Sequence, residues 1–364
     1  MSVKFTQQDK QFMRRALMLA RRGEGQVSPN PLVGAVLVRN GGIIGEGYHQ
    51  RYGGAHAEVN TIKNAVRRGY HAKIPGSTLY VTLEPCCHQG QTSPCVDEII
   101  KRGISRVVVA LAKDPNPLVS GRGISKLRRQ GIKVETGLMK KEASELKYPF
   151  IKFMQTGLPF VILKVGMSLD GRITHPRQKY ITNKKSLTLV HQIRNNVDGI
   201  LVGINTVIKD NPRLNVRLRK GRAKKITPII LDPNLRVSSR AKAIRPGTII
   251  VTKIGLKSLR ISQLEKRGVK ILPAKISRGK FVLKDLLKEL GKLNITSILV
   301  EGGQEVITSF LNARLVDKVH VFISPELFGA GQLSITGELA KIVKLDDIKV
   351  KKLENNILVT GYAK

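Results

Sequence analysis

The sequence predicts a layered α/β protein of two domains, and three observations carry that expectation. The chain has 364 residues, more than one hydrophobic core usually serves. Strand-like apolar runs alternate with helical spacing through the first half. Past a break near residue 146 the alternation restarts, and no internal repeat links the two halves.

Thr6 caps a first helix, Asp9 completes a capping box, and Phe12, Met13, Ala16, Leu17, Leu19 and Ala20 recur at helical spacing until Gly23 and Gly25. The runs 33–39 and 43–48 are strands joined by Asn40-Gly41-Gly42, a hairpin signal. A helix over 57–68 follows, then a buried strand at 77–83, a helix at 94–102, a strand at 106–111, a helix at 121–130 and a strand at 133–135. The expected domains are therefore 1–146 and 147–364, with linker character over 145–157. In the second domain the pattern predicts a strand at 160–165, a helix at 187–195, and strands at 199–202, 227–231, 248–251, 297–300 and 318–323.

Composition narrows the class. Hydrophobic residues make up 41% of the chain and mean hydropathy is near zero, which fits a globular protein and argues against disorder. The start lacks an apolar signal segment, and no run of about 18 apolar residues offers a membrane span, so a cytoplasmic protein is expected. The net charge of +38 would attract nucleic acid, an acidic membrane or phosphorylated small molecules alike. Basic residues are scattered through both halves, with one dense run at 217–225, and aromatics are 4% with no Trp. A dedicated nucleic-acid face should cluster charge and offer stacking platforms, so that partner is disfavoured.

Chemistry concentrates in His56-Ala57-Glu58, Glu84-Pro85-Cys86-Cys87-His88 and Pro94-Cys95. All three cysteines lie within ten residues of one another, a spacing that suits a metal site and not a disulfide framework. A catalytic zinc takes three protein ligands and keeps a position for water. His56, Cys86 and Cys95 supply one nitrogen and two sulfurs, with Cys87 and His88 competing for the ligand role. Glu58, two residues beyond His56 at a helix start, is the candidate proton shuttle for removing an amino group from a nucleobase-like ring. The usual zinc deaminase signature is P-C-x-x-C, whereas here eight residues separate Cys86 from Cys95.

The segments 29–36, 45–49, 56–60 and 82–95 closely resemble the bifunctional riboflavin biosynthesis deaminase-reductase family, in which the long cysteine spacing is the norm. Ser93 stands where that family commonly has a proline. The resemblance implies a cytidine-deaminase-like three-layer α/β/α domain followed by a dihydrofolate-reductase-like α/β domain. It implies a zinc-dependent pyrimidine deaminase whose substrate contacts include Asn30, His49 and His88.

In the second domain, 164–172 runs from a strand into a turn, 202–206 and 210–217 add polar loops, and Glu301-Gly302-Gly303-Gln304 joins a strand to a helix. Polar groups at the carboxyl ends of strands are where α/β sheets bind ligands. No G-x-G-x-x-G follows a strand, so a Rossmann dinucleotide site is not supported. These segments are similar to the family's reductase half. The likeness implies NADPH contacts from Gly166, Tyr180, Thr206, Asp210, Gly303, Gln304, Glu305, Val306, Ile307, Thr308 and Ser309. It implies substrate contacts from Lys164, Gln178, Arg194, Leu214, Arg217 and Glu301, with Lys164, Asp170 and Glu301 as ionisable groups near the hydride-transfer centre. Tyr180 replaces a common Trp, and 174–179 looks shortened against the family.

The expected activity is hydrolytic deamination of a 2,5-diamino-6-ribosylamino-pyrimidinone 5'-phosphate, then NADPH-dependent reduction of the ribosyl group to ribityl. The expected assembly is a homo-oligomer formed through the reductase domain. Two rivals make different demands. A polynucleotide base deaminase needs the short cysteine spacing and clustered charge; a structural zinc protein binding nucleic acid needs a fourth ligand such as Cys87 or His88.

Overall fold

The computed structural model, which describes residues 5–89, 93–116, 119–218 and 224–364, divides the chain into two units, Met1–Thr156 and Gly157–Lys364. In the first, α1 (Gln7–Arg21) opens on the expected capping box: Thr6 accepts from the Asp9 amide, and Asp9 accepts from the Thr6 amide. The hairpin β1 (Gly34–Arg39) and β2 (Gly42–Tyr48) turns through Asn40 and Gly41, both at positive φ. There follow α2 (Ala57–Arg67), β3 (Thr78–Val81), α3 (Cys95–Lys101), β4 (Arg106–Val109), α4 (Arg122–Arg129), β5 (Lys133–Thr136) and α5 (Lys140–Thr156).

The sheet runs β2-β1-β3-β4-β5, antiparallel across β2, β1 and β3 and parallel from β3 to β5. Alternation along β1 makes the layers. Ala35 and Leu37 pack with Ile62 of α2, Val96 of α3 and Leu127 of α4, while Val36 and Val38 face Met13 and Leu17 of α1 and Ala143 of α5. This is the expected three-layer α/β/α arrangement. A Cβ on Gly47 would stand 2.4 Å from the Thr61 amide nitrogen, so α2 lies directly on β2 only because that residue has no side chain.

The stretch 145–157, expected as a linker, is helical to Thr156, and the expected 146/147 break falls inside α5. Pro149 lies inside this helix, although proline cannot donate to the carbonyl four residues earlier. Tertiary anchoring outweighs that loss. Lys147 is buried and donates through Nζ to the carbonyls of Thr82 (3.0 Å) and Ala143 (3.2 Å).

The second unit comprises β6 (Phe160–Met167), α6 (Lys184–Asn195), β7 (Gly199–Gly203), α7 (Ile204–Asp210), β8 (Thr227–Leu231), β9 (Ile249–Lys253), α8 (Leu259–Glu265), β10 (Lys270–Ala274), a small hairpin β11 (Ile276–Ser277) and β12 (Lys280–Phe281), α9 (Leu283–Lys292), β13 (Ser297–Val300), α10 (Gln304–Asn312), β14 (Lys318–Ile323), β15 (Leu345–Leu353) and β16 (Asn356–Ala363). Its sheet order is β10-β9-β8-β7-β13-β6-β14-β16-β15, parallel from β10 to β14 and antiparallel through the last two strands. Apolar clusters cover both faces, one with α9 and α10 and one with α7 and α8. Helix α6 starts before the expected 187 because Asn183 caps it, accepting from the Ser186 amide at 2.9 Å. The parallel strands β7 and β13 end at nearly the same level, opposite Leu163 of β6, which gathers Lys164 to Gly166 and the loops after Gly203 and Val300 on one edge.

Candidate functional site

In the first unit, His56 is the N-cap residue of α2, Glu58 lies in that helix's first turn, and Cys95 opens α3 after Pro94. Cys86 follows β3. The ligand atoms of His56, Cys86 and Cys95 all lie within 4.8 Å of one another. His56 Nδ1 is 3.2 Å from Cys95 Sγ and 3.4 Å from Cys86 Sγ, and the Cys95 amide points at Cys86 Sγ.

This donor set fits zinc, which accepts thiolate and imidazole at about 2.0–2.3 Å, so one ion can reach all three atoms. A hydrogen bond from Cys95 lowers the Cys86 pKa, and the same bond, with burial, raises that of Cys95; zinc held by both sulfurs would displace the proton between them. Among the described residues no fourth His, Cys, Asp or Glu joins the group. Cys87 packs against the sheet core instead, and burial raises its thiol pKa.

Burial pushes the Glu58 carboxyl up to about 7, against the pull of His56. The deaminase substrate candidates lie beside this cluster. Asn30 Nδ2 donates to His49 Nε2 at 3.1 Å, His49 Nδ1 donates to the Ala55 carbonyl at 3.1 Å, and the His49 ring meets that of His56 edge-on at 5.4 Å. Burial lowers the His49 pKa, which keeps the neutral tautomer those two bonds require. His88 Nδ1 is buried and has no hydrogen-bond partner among the described residues.

Sequence reasoning missed Glu84. Its buried carboxylate accepts from the amides of Asp114 (3.2 Å), Gly121 (2.8 Å) and Ile124 (3.2 Å), docking the start of α4 beside Pro85 and the cysteines. An acid directly before Pro-Cys was the available signal.

In the second unit, a cavity of about 380 Å³ opens where β7 and β13 end beside β6. It collects Lys164, Gly166, Tyr180, Arg194, Thr206, Asp210, Leu214, Glu301, Gly303 and Ile307 from the sequence-derived set. Gln178, Arg217, Gln304, Glu305, Val306, Thr308 and Ser309 lie outside its lining. Gln178 Nε2 donates to the Tyr180 carbonyl and to Glu326. Arg217 Nε contacts His191 at 3.3 Å, Thr308 is buried and accepts from the Thr336 amide, and Ser309 donates to the Glu305 carbonyl. The dense basic run that begins at Arg217 extends across 219–223, outside the described residues.

At the cavity's centre Glu301 accepts from Arg194 Nε (2.7 Å) and Nη2 (2.8 Å), with Lys164 Nζ at 3.3 Å. Burial alone would raise the Glu301 pKa, but these two cations hold it well below the usual carboxylate range. Asp170 is used differently: it accepts from Ser168 Oγ and from the amides of Phe328 and Gly329, which fixes a loop. Gln332 and Thr174, which also line the cavity, were not foreseen; they meet through a loop contact without local signal.

A layered α/β unit carrying a three-donor His/Cys/Cys centre beside a buried glutamate, joined to a unit with an ion-lined pocket at its strand ends, defines a zinc-dependent deaminase fused to a reductase. The family descriptions agree: residues 6–111 match the cytidine and deoxycytidylate deaminase zinc-binding region, and residues 159–359 match the RibD C-terminal domain. The chain belongs to the RibD family, the bifunctional deaminase-reductases of riboflavin biosynthesis. It is 44% identical to riboflavin biosynthesis protein RibD of Aquifex aeolicus, over 95% of each chain, and 39% identical to that of Escherichia coli, over 96% of each. It is similar to the solved structures of Acinetobacter baumannii RibD (form 1; 34% identity, TM-score 0.87) and of a Thermotoga maritima diaminohydroxyphosphoribosylaminopyrimidine deaminase/5-amino-6-(5-phosphoribosylamino)uracil reductase (36% identity, TM-score 0.86). Both comparisons cover 98% of this chain and 99% of the other. Among the described residues no helix is long and apolar enough to cross a membrane.

Proposed function

We propose that the first unit deaminates a diaminopyrimidine ribosyl phosphate and that the second reduces the product's ribosyl group with NADPH. The observation that carries the first step is the convergence of His56, Cys86 and Cys95 beside the buried Glu58. Bound to the three, zinc supplies Lewis acidity that draws the pKa of water from about 15.7 toward about 7. Glu58 would take the proton from the attacking water and return it to the departing amine, and its buried place in the first turn of α2 beside His56 suits both transfers. Asn30 and His49, already hydrogen-bonded to each other, and His88, with a ring nitrogen unpartnered among the described residues, offer the polar contacts that orient the ring.

In the second unit NADPH supplies the hydride. Glu301 is kept ionised by Lys164 and Arg194 and accepts hydrogen bonds from Arg194, with Lys164 paired beside it. The anionic substrate and cofactor suit a basic cavity. The homo-oligomer expected from the family belongs to this proposal, as does cytoplasmic residence.

Glu58→Gln tests the reading. Deamination should fall by about two to four orders of magnitude, zinc content should stay at the wild-type level, and reduction of pre-deaminated substrate should be unchanged. Loss of zinc in the variant would show that Glu58 serves as a ligand.

A further inference from the structure

The loop 211–216 borders the reductase cavity in a backbone conformation that needs support. Leu214, which lines the cavity, has φ +45°, a left-handed value that a leucine adopts only where its surroundings impose it. Its side chain is 3% exposed, fixed in the apolar cluster under the loop. Asn211, at φ +42°, tolerates that region better, and its Oδ1 accepts from the Lys242 amide at 2.8 Å. On the cavity side Arg194 Nη1 donates to the Asn215 carbonyl at 3.2 Å.

The far side is held by one residue that no motif singles out. Arg245 Nη1 donates to the Arg213 carbonyl at 2.6 Å, and Nη2 donates to the carbonyls of Leu214 at 2.8 Å and Ile226 at 3.3 Å. Its environment is unusual for an arginine. Burial lowers its pKa, no acidic partner among the described residues opposes the shift, and its acceptors are main-chain carbonyls. A half-buried guanidinium without a carboxylate is costly unless its hydrogen bonds are made. The planar fork meets that need by joining two consecutive loop carbonyls to the residue that enters β8.

We propose that Arg245 is a positioning residue for reductase substrate binding: it fixes the Leu214 backbone in the left-handed conformation that completes the pocket. The inference rests on the reading of this cavity as the pyrimidine site. Arg245 does not itself line the cavity and acts through Leu214. Lysine cannot reproduce the fork, so charge without geometry should not suffice.

The test uses the full chain with zinc bound and the variants Arg245→Lys and Arg245→Met. In both, KM for the deaminated pyrimidine phosphate should rise about ten- to a hundredfold. KM for NADPH, the deamination rate and the far-ultraviolet circular dichroism should match wild type. An unchanged pyrimidine KM overturns the inference, and so does full activity in the lysine variant. A variant that unfolds, or in which both KM values rise together, also overturns it, since Arg245 would then hold the whole unit. Absence of pyrimidine-dependent NADPH oxidation in the wild type would instead defeat the reading of the cavity.

Discussion

Glu301→Gln removes one buried negative charge and keeps the side chain's shape. In the wild type the carboxylate meets Arg194 at 2.7 and 2.8 Å and Lys164 at 3.3 Å, and the three side chains are only 7%, 15% and 20% exposed. The amide leaves Arg194 without its anion in a site that water reaches poorly. Removing one partner of a buried pair costs about 3–5 kcal/mol. Lys164 is 20% exposed, so solvent screens part of this cost, which favours the lower end. At about 2–4 °C per kcal/mol for a unit of this size, the melting midpoint of the second unit should fall by roughly 6–12 °C. Pyrimidine-dependent NADPH oxidation should fall by about a hundredfold or more, because Arg194 and Lys164 lose the group that orients them. Deamination on the same preparation is the internal control and should be unchanged. Scanning calorimetry with the two assays decides the matter. A midpoint within about 2 °C of wild type would refute the argument that the carboxylate offsets two buried cations.

Two further outcomes follow from the first unit. Burial brings the Lys147 pKa down to about 7 from an ordinary value near ~10.4. Between those values the unfolded chain holds a proton that the folded chain lacks, so stability should rise as pH rises from 7 to about 10. Lys147→Met should flatten the plot of melting midpoint against pH in that window, and parallel slopes would defeat the assignment. Gly47→Ala would put a Cβ 2.4 Å from the Thr61 amide and 2.7 Å from the Ala57 carbonyl. The start of α2 should shift at a cost of about 1–3 kcal/mol, and zinc bound per chain at limiting metal should drop. Wild-type zinc content would show that His56 and Glu58 are held independently of that contact.

Some of this structure is legible in sequence for physical reasons. The hairpin of β1 and β2 follows from Asn40-Gly41 flanked by apolar strands, since few other residues accept two successive positive φ values. The metal group is legible because His and Cys are scarce here and each has a demanding chemistry. Helix α5 is hidden because Pro149 argues against it locally, while the bonds of Lys147 to Thr82 and Ala143 that support it are invisible in one dimension. Helix α9 was readable, since Leu283, Leu286, Leu287 and Leu290 recur on one face, yet it was passed over. The family likeness named Lys164, Arg194 and Glu301, and all three line the cavity of the second unit. It also named the continuous run 303–309, of which Gly303 and Ile307 line the cavity. A helix turns 3.6 residues per turn, so Ile307 faces the cavity while Thr308 is drawn into contact with Thr336.

The long interval between the two cysteines was the feature that least fitted a general deaminase signature. Its base is closed by two contacts: the Val96 amide donates to the Cys86 carbonyl at 3.1 Å, and the Cys95 amide points at Cys86 Sγ at 3.4 Å. The ligands are thus registered to each other where the excursion begins and ends. In this chain the closed neck, and not the number of residues between the cysteines, sets the distance between the two sulfurs. Grafting a foreign segment between His88 and Pro94 should leave metal uptake intact while altering what the site admits.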